Sequence, residues 1–218
     1  MPESFDPKAC LLESFAAATA RATPYPHWLL DSVLPDAMVD DICALPLTPP
    51  KVEDTLGRRE THNSSRLFFG VEQQERFPVC ASLAKTLQGA DCTERLQALT
   101  GARLQGSFLR IEYCLDTDGF WLEPHTDIGA KFFTFLIYLN DPPAGEEWGT
   151  DIYATPANPL GPAPGGRNRG LIFVPGQNTW HGFEKRPITG VRRSLIVNYV
   201  TPDWRARHEL AFPAAPVT

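Results

Sequence analysis

Three side chains of this chain can grip one metal ion: His125 and Asp127, separated by Thr126, and His181 far along the sequence. In a strand, alternate side chains share a face, so His125 and Asp127 point the same way while Thr126 points away. A third ligand from a different strand completes a facial set of two imidazoles and one carboxylate. That set leaves about half of an octahedral shell open, the ligand pattern of non-haem Fe(II) sites that activate dioxygen. A His-x-Asp pair alone recurs by chance, and a lone strand histidine is usually a packed core residue, so the reading depends on what accompanies the pair.

Arg192 accompanies it, opening the apolar segment Ser194-Leu195-Ile196-Val197-Asn198-Tyr199-Val200. An arginine on an inward strand position is costly unless a carboxylate meets it, and its planar fork suits bidentate carboxylate recognition. Strand parity puts Arg192 with Ser194, Ile196 and Asn198, and Arg193 with Leu195, Val197 and Tyr199. The polar set suits a ligand-lined interior, which favours Arg192 and leaves Arg193 as the alternative. Along residues 132–140, Phe133, Phe135, Ile137 and Leu139 form one apolar face, and Thr134, Leu136 and Tyr138 a mixed one. A mixed inward face beside a metal is what a polar co-substrate needs.

The ordered series of Tyr113, His125-Thr126-Asp127, the strand Thr134-Phe135-Leu136-Ile137-Tyr138-Leu139-Asn140, His181 and Arg192-Arg193-Ser194 resembles the 2-oxoglutarate- and Fe(II)-dependent dioxygenases of the prolyl-hydroxylase-like type, over about Arg103 to Tyr199. The resemblance implies that His125, Asp127 and His181 bind Fe(II). It implies that Arg192 holds the distal carboxylate of 2-oxoglutarate, helped by Ser194 and Tyr138, with Tyr113 lining the same pocket. It further implies consumption of O2, release of succinate and CO2, and hydroxylation of a C–H bond in a small-molecule or peptidyl substrate. With Asp127 at the carboxylate position, hydroxylation is expected rather than halogenation. The alternative is a cupin-like jelly roll that binds metal without 2-oxoglutarate, either a different dioxygenase or isomerase or a binding module.

The remaining composition bounds the function. The 218 residues carry a net charge of −6 and no basic block, which disfavours electrostatic binding of nucleic acid. The five cysteines, Cys10, Cys43, Cys80, Cys92 and Cys114, are scattered and odd in number, which reads as reduced thiols in a cytoplasmic protein. No signal-peptide pattern opens the chain, and no apolar run approaches the length of a membrane span.

The elements that must position the site follow from pattern. Residues 8–22 read as helix, 25–30 as a short extended stretch, and Pro35 to about Leu45 as a second helix with proline in its first turn. Residues 46–70 are turn-rich and polar, and helices are expected near 75–88 and 92–100. From Arg103 the pattern becomes β, with strands at 103–114, 119–125, 131–140, 150–154, 170–174, 179–183 and 191–200. Helices followed by seven or so strands predict a mainly β chain with N-terminal helices and a double-stranded β-helix, or jelly-roll, core. The expected organisation is one domain over 1–218, with 1–100 as helical support and substrate-side loops and 101–204 as the catalytic core. The Pro/Gly-rich run at 155–169 is either an exposed linker or a flap at the rim of the site. Arg58, His62, Arg66 and Arg110 are candidate substrate contacts, with Arg110 preferred because it falls on a strand near the site.

Overall fold

A computed structural model of the protein describes residues 6–58, 66–127 and 129–218; His62 lies outside them. The chain is mainly β, and its two antiparallel sheets form the expected jelly roll. Among the described residues, the larger sheet runs in the order β1 (Thr19–Arg21), β2 (His27–Leu30), β9 (Arg169–Phe173), β6 (Lys131–Tyr138), β11 (Arg192–Val200), β4 (Phe108–Asp116), β3 (Arg66–Phe68), and the smaller one β5 (Leu122–His125), β10 (His181–Phe183), β7 (Asp151–Thr155), β8 (Asn158–Pro162).

At the centre of the larger sheet, β11 (Arg192–Val200) pairs along its whole length with β4 (Phe108–Asp116), from Arg192 opposite Asp116 to Val200 opposite Phe108. Its other edge pairs with β6 (Lys131–Tyr138). Alternation then sorts the side chains. Phe133, Phe135, Ile137, Ile111, Tyr113, Leu115, Leu195, Val197 and Tyr199 face outward into one buried core. That core is completed from the N-terminal half by α1 (Pro7–Ala16), α2 (Asp36–Cys43), α4 (Pro78–Gln88) and α5 (Ala90–Thr100). Each fully buried large apolar side chain stabilises the fold by about 1.5–3 kcal/mol, so this face anchors the sheet. Thr134, Leu136, Tyr138, Arg110, Glu112, Cys114, Asp116, Arg192, Ser194, Ile196 and Asn198 are left on the other face, towards the smaller sheet. There, β5 (Leu122–His125) and β7 (Asp151–Thr155) flank β10 (His181–Phe183).

Several sequence expectations need correction. The first helix stops at Ala16, and Thr19–Arg21 forms β1, paired with β2 (His27–Leu30), the expected extended stretch. Residues 19–21 are exposed, so a longer helix there would bury little, whereas the edge of β2 offers hydrogen bonds. The helix expected over 75–88 is two, α3 (Val71–Arg76) and α4, broken where Phe77 turns extended before Pro78. The polar stretch 46–70 ends in β3 (Arg66–Phe68), which extends the larger sheet beside β4. The first half of the 155–169 run is largely exposed, as expected of a linker, but structured: Asn158–Pro162 is β8, hairpin-paired with β7, and its prolines sit on the outer edge of the smaller sheet, where a missing donor costs least. The last core strand, β11, and β9 (Arg169–Phe173) fall within a residue or two of expectation.

Candidate metal centre and its cavity

His125 is the last residue of β5 and His181 the first of β10, and the two are direct partners across this antiparallel pair. Asp127 lies two residues past the end of β5, and its carboxylate comes to the same place as the two imidazoles. The three side chains converge: one ligand atom from each lies within 4.8 Å of the others. Asp127 Oδ1 is 3.9 Å from His125 Nε2, and Oδ2 is 3.6 Å from His181 Nε2.

Hydrogen bonding orients both imidazoles for a metal. The Nδ1–H of His125 donates to the Glu123 carbonyl and that of His181 to the Thr179 carbonyl, each at 2.9 Å. A proton on Nδ1 leaves Nε2 as the ligating atom, the usual outer-shell arrangement of a metal-binding histidine. Burial pushes the His181 imidazole down to about 4, so at neutral pH it is uncharged. Burial alone would raise the Asp127 carboxyl, but the Lys131 ammonium and the two histidines outweigh it and hold the group well below the usual carboxylate range. Lys131 Nζ bonds Asp127 Oδ1 at 2.8 Å, Thr134 Oγ1 donates to Oδ2 at 3.2 Å, and Asn198 Nδ2 donates to Thr134 Oγ1 at 3.1 Å. The three groups thus converge on one place, with Lys131 holding Asp127 Oδ1 from the side.

The centre opens on a cavity of about 430 Å³ whose wall includes Leu136, Thr150, Ile196 and Arg192. Arg192 is 2 % exposed, with its Nε–H on the Trp148 carbonyl at 2.7 Å and its Nη1 on Asp116 Oδ2 at 2.5 Å. Ser194 is on the same face, buried, with its hydroxyl unpartnered. The Tyr138 hydroxyl, also on this face, accepts from the Thr150 N–H at 3.0 Å. Arg193 points the other way: its backbone N–H donates to Asn140 Oδ1 and its Nη1 to the Val191 carbonyl.

Tyr113 does not join the site. It packs in the helix-side core with Ile111 and Leu195, and burial there pushes its phenol well above the usual value. Residues 110, 112, 114 and 116 are the ones of β4 that face inward.

Arg110 does reach the cavity, but as part of a buried network. It bonds Glu112 Oε2 at 2.7 Å and Glu209 Oε2 at 2.6 Å, and its guanidinium lies over Phe68 and Trp204. Arg66 pairs with Glu112 Oε1 at 3.0 Å, and Arg58 and Arg66 also line the cavity. Thr134 and Asn198 were placed by parity on the inward faces of their strands but given no role, and Lys131, Glu112 and Asp116 were not singled out from sequence. For the last two, the signal was present in β4, where Arg110-x-Glu112-x-Cys114-x-Asp116 alternates with apolar residues.

No protein-family model matches the chain, and no curated protein does. Solved structures do match. A prolyl 4-hydroxylase from Phytophthora capsici superposes with a TM-score of 0.59 at 12% identity, over 94% of this chain and 70% of that one. A Pseudomonas putida prolyl-4-hydroxylase gives 0.56 at 13% identity over 88% and 93%. A Trichoplax adhaerens prolyl hydroxylase, solved with a peptide fragment of the hypoxia inducible factor oxygen degradation domain, gives 0.54 at 13% over 91% of each chain. At such identities the likeness is one of fold.

Proposed function

We propose that this protein is an Fe(II)- and 2-oxoglutarate-dependent oxygenase that hydroxylates a C–H bond of a small-molecule or peptidyl substrate. The observation that carries the reading is the convergence of His125, Asp127 and His181, with both Nδ1 atoms hydrogen-bonded to backbone carbonyls, on the wall of a cavity that also holds a buried arginine. The donor set suits iron: two imidazoles and one carboxylate, with room for further ligands. For 2-oxoglutarate, the buried unpartnered hydroxyl of Ser194 beside Arg192 is a donor awaiting an acceptor.

His125, Asp127 and His181 would hold the metal, and Arg192 and Ser194 the far carboxylate of the co-substrate, with Tyr138 beside them. Bound together, iron and 2-oxoglutarate supply activation of O2 coupled to decarboxylation of the keto acid, releasing succinate and CO2. The chain itself supplies orientation and exclusion of water. Thr134 and Asn198 fix the Asp127 carboxylate, the Phe173 ring packs at 4.7 Å against His181, and Leu136 and Ile196 keep the inner wall apolar.

A peptidyl substrate is supported by the groove beside the site. Trp121, Tyr153, Pro124, Pro156 and Pro159 line it, and it shares Leu122 and Pro124 with the metal cavity. The peptide held by the Trichoplax relative points the same way. We take residues 101–204 as the catalytic core of a single domain, and the five cysteines, none of them in a disulfide, as support for a reducing, cytoplasmic setting. No helix among the described residues is long and apolar enough to cross a membrane.

The test is anaerobic titration of the protein with Fe(II) and then 2-oxoglutarate, following the visible charge-transfer band of the chelate. Arg192→Lys serves as the comparison, because lysine keeps a cation beside Asp116 but loses the fork. A band in the native protein, weakened in the variant, is expected. Bound iron with no band would favour a metal-only jelly roll, a reading that the existing Arg192–Asp116 pair also accommodates.

A further inference from the structure

Resting on the 2-oxoglutarate reading, we infer that Asp116 is a resident competitor in the co-substrate clamp: it weakens the hold of Arg192 on a distal carboxylate and so sets how much co-substrate the protein requires. Asp116 and Arg192 are direct register partners on β4 and β11, and their side chains meet at 2.5 Å with both buried.

A guanidinium grips a carboxylate best through two parallel N–H donors, either along its end or along its side. In Arg192 each of those edges already has one donor engaged. Nη1 serves Asp116, Nε serves the Trp148 carbonyl, and the Phe183 and Phe120 rings lie 4.6 and 5.8 Å from the guanidinium carbon. A distal carboxylate therefore meets Nη2 and the unpartnered Ser194 hydroxyl, on a cation whose charge Asp116 already balances.

The competing explanation is a structural ion pair that holds the register of β4 and β11. The two differ in sign. A structural support, once removed, leaves co-substrate binding unchanged or weaker; a competitor, once removed, makes it tighter.

The experiment measures the affinity of the Fe(II)-loaded protein for 2-oxoglutarate and for 2-oxopentanoate, which lacks the distal carboxylate, anaerobically through the chelate band. Native protein, Asp116→Asn and the smaller Asp116→Ser are compared. Asn keeps the shape and an acceptor for Nη1, and Ser guards against an effect peculiar to the amide. The expected result is about tenfold tighter binding of 2-oxoglutarate in the variants with little change for 2-oxopentanoate, so that preference for the dicarboxylate rises. Equal or weaker 2-oxoglutarate binding in folded variants, with a normal band in the native protein, overturns the role of Asp116 and leaves the oxygenase reading standing. No band in any of the three, despite bound iron, overturns both.

Discussion

His125 and His181 face each other across β5 and β10 with ring centroids 4.3 Å apart, and each is pinned by a hydrogen bond from Nδ1 to the carbonyl two residues before it. The pairing of two strands thus decides the spacing of two ligands, and the backbone of each strand decides its tautomer. A site built this way is rigid before any ion arrives. Replacing His181 with alanine should abolish tight binding of Co(II) or Mn(II), measured by calorimetry, while the far-ultraviolet spectrum of the fold is kept.

The bond from Thr134 to Asp127 is the next layer. Thr134→Val keeps the shape and removes the donor, leaving the carboxylate free to rotate. Metal affinity should fall by about tenfold, within the range typical of lost outer-shell partners. An unchanged dissociation constant for Co(II) would mean that Lys131 alone orients the carboxylate.

The burial of His181 makes a prediction about pH. Its folded value of about 4 lies below the ordinary 6.5, so between those limits the unfolded chain binds a proton that the native state does not. Stability of the chelator-treated protein should therefore fall as pH drops from about 6.5 to 4, by about 3 kcal/mol at about 1.4 kcal/mol per pH unit, and this contribution should level off below pH 4. Urea unfolding at pH 7.5 and 4.5 reads it out. His181→Gln should flatten the dependence in that window. Asp127, with a depressed value, contributes its own loss only at more acid pH, below the ordinary carboxylate range.

Gly149 is required by a close approach of backbones. A Cβ there would strike the Ala163 carbonyl, at the pairing that brings Trp148 and Thr150 to Arg192 and Tyr138. Gly149→Ala should cost about 2 kcal/mol, as overpacking does. Gly176→Ala, where the added carbon meets only ordinary contacts, should be close to neutral in the same urea series.

Thiol reactivity should divide the cysteines by burial. Burial pushes Cys80 and Cys92 up to about 12, so at pH 8 on the order of one in 10,000 of these thiols is ionised. Iodoacetamide should modify the half-buried Cys10 and Cys43 first in the native protein, and all five in urea. Rapid modification of Cys92 at pH 8 without denaturant would contradict the packing of α5 against the sheet.

Much of the site was legible from the residues themselves. Alternation in β6 and β11 sorted Tyr138, Arg192 and Ser194 from Phe135, Arg193 and Leu195, because a strand whose outer face meets a helical layer has only one way to bury its apolar set. The same rule read along β4 places Tyr113 with Ile111 and Leu115 on the outer face; placing it in the pocket by family likeness overrode that parity, and the fold follows the parity. The weaker elements were not legible. β1, β3 and β8 are short, and none shows an alternating burial pattern; each forms because a neighbouring edge supplies hydrogen bonds that exist only once the sheets are built. The same holds for the charges around the centre. The sequence by itself determined which residues can ligate a metal and which face of each long strand is apolar, since both follow from local chemistry and a two-residue period. Only the tertiary structure decided that Asp116 meets Arg192, that Arg66 reaches Glu112, and that Thr134 holds Asp127, since each contact joins different elements that come together only when the sheets are built.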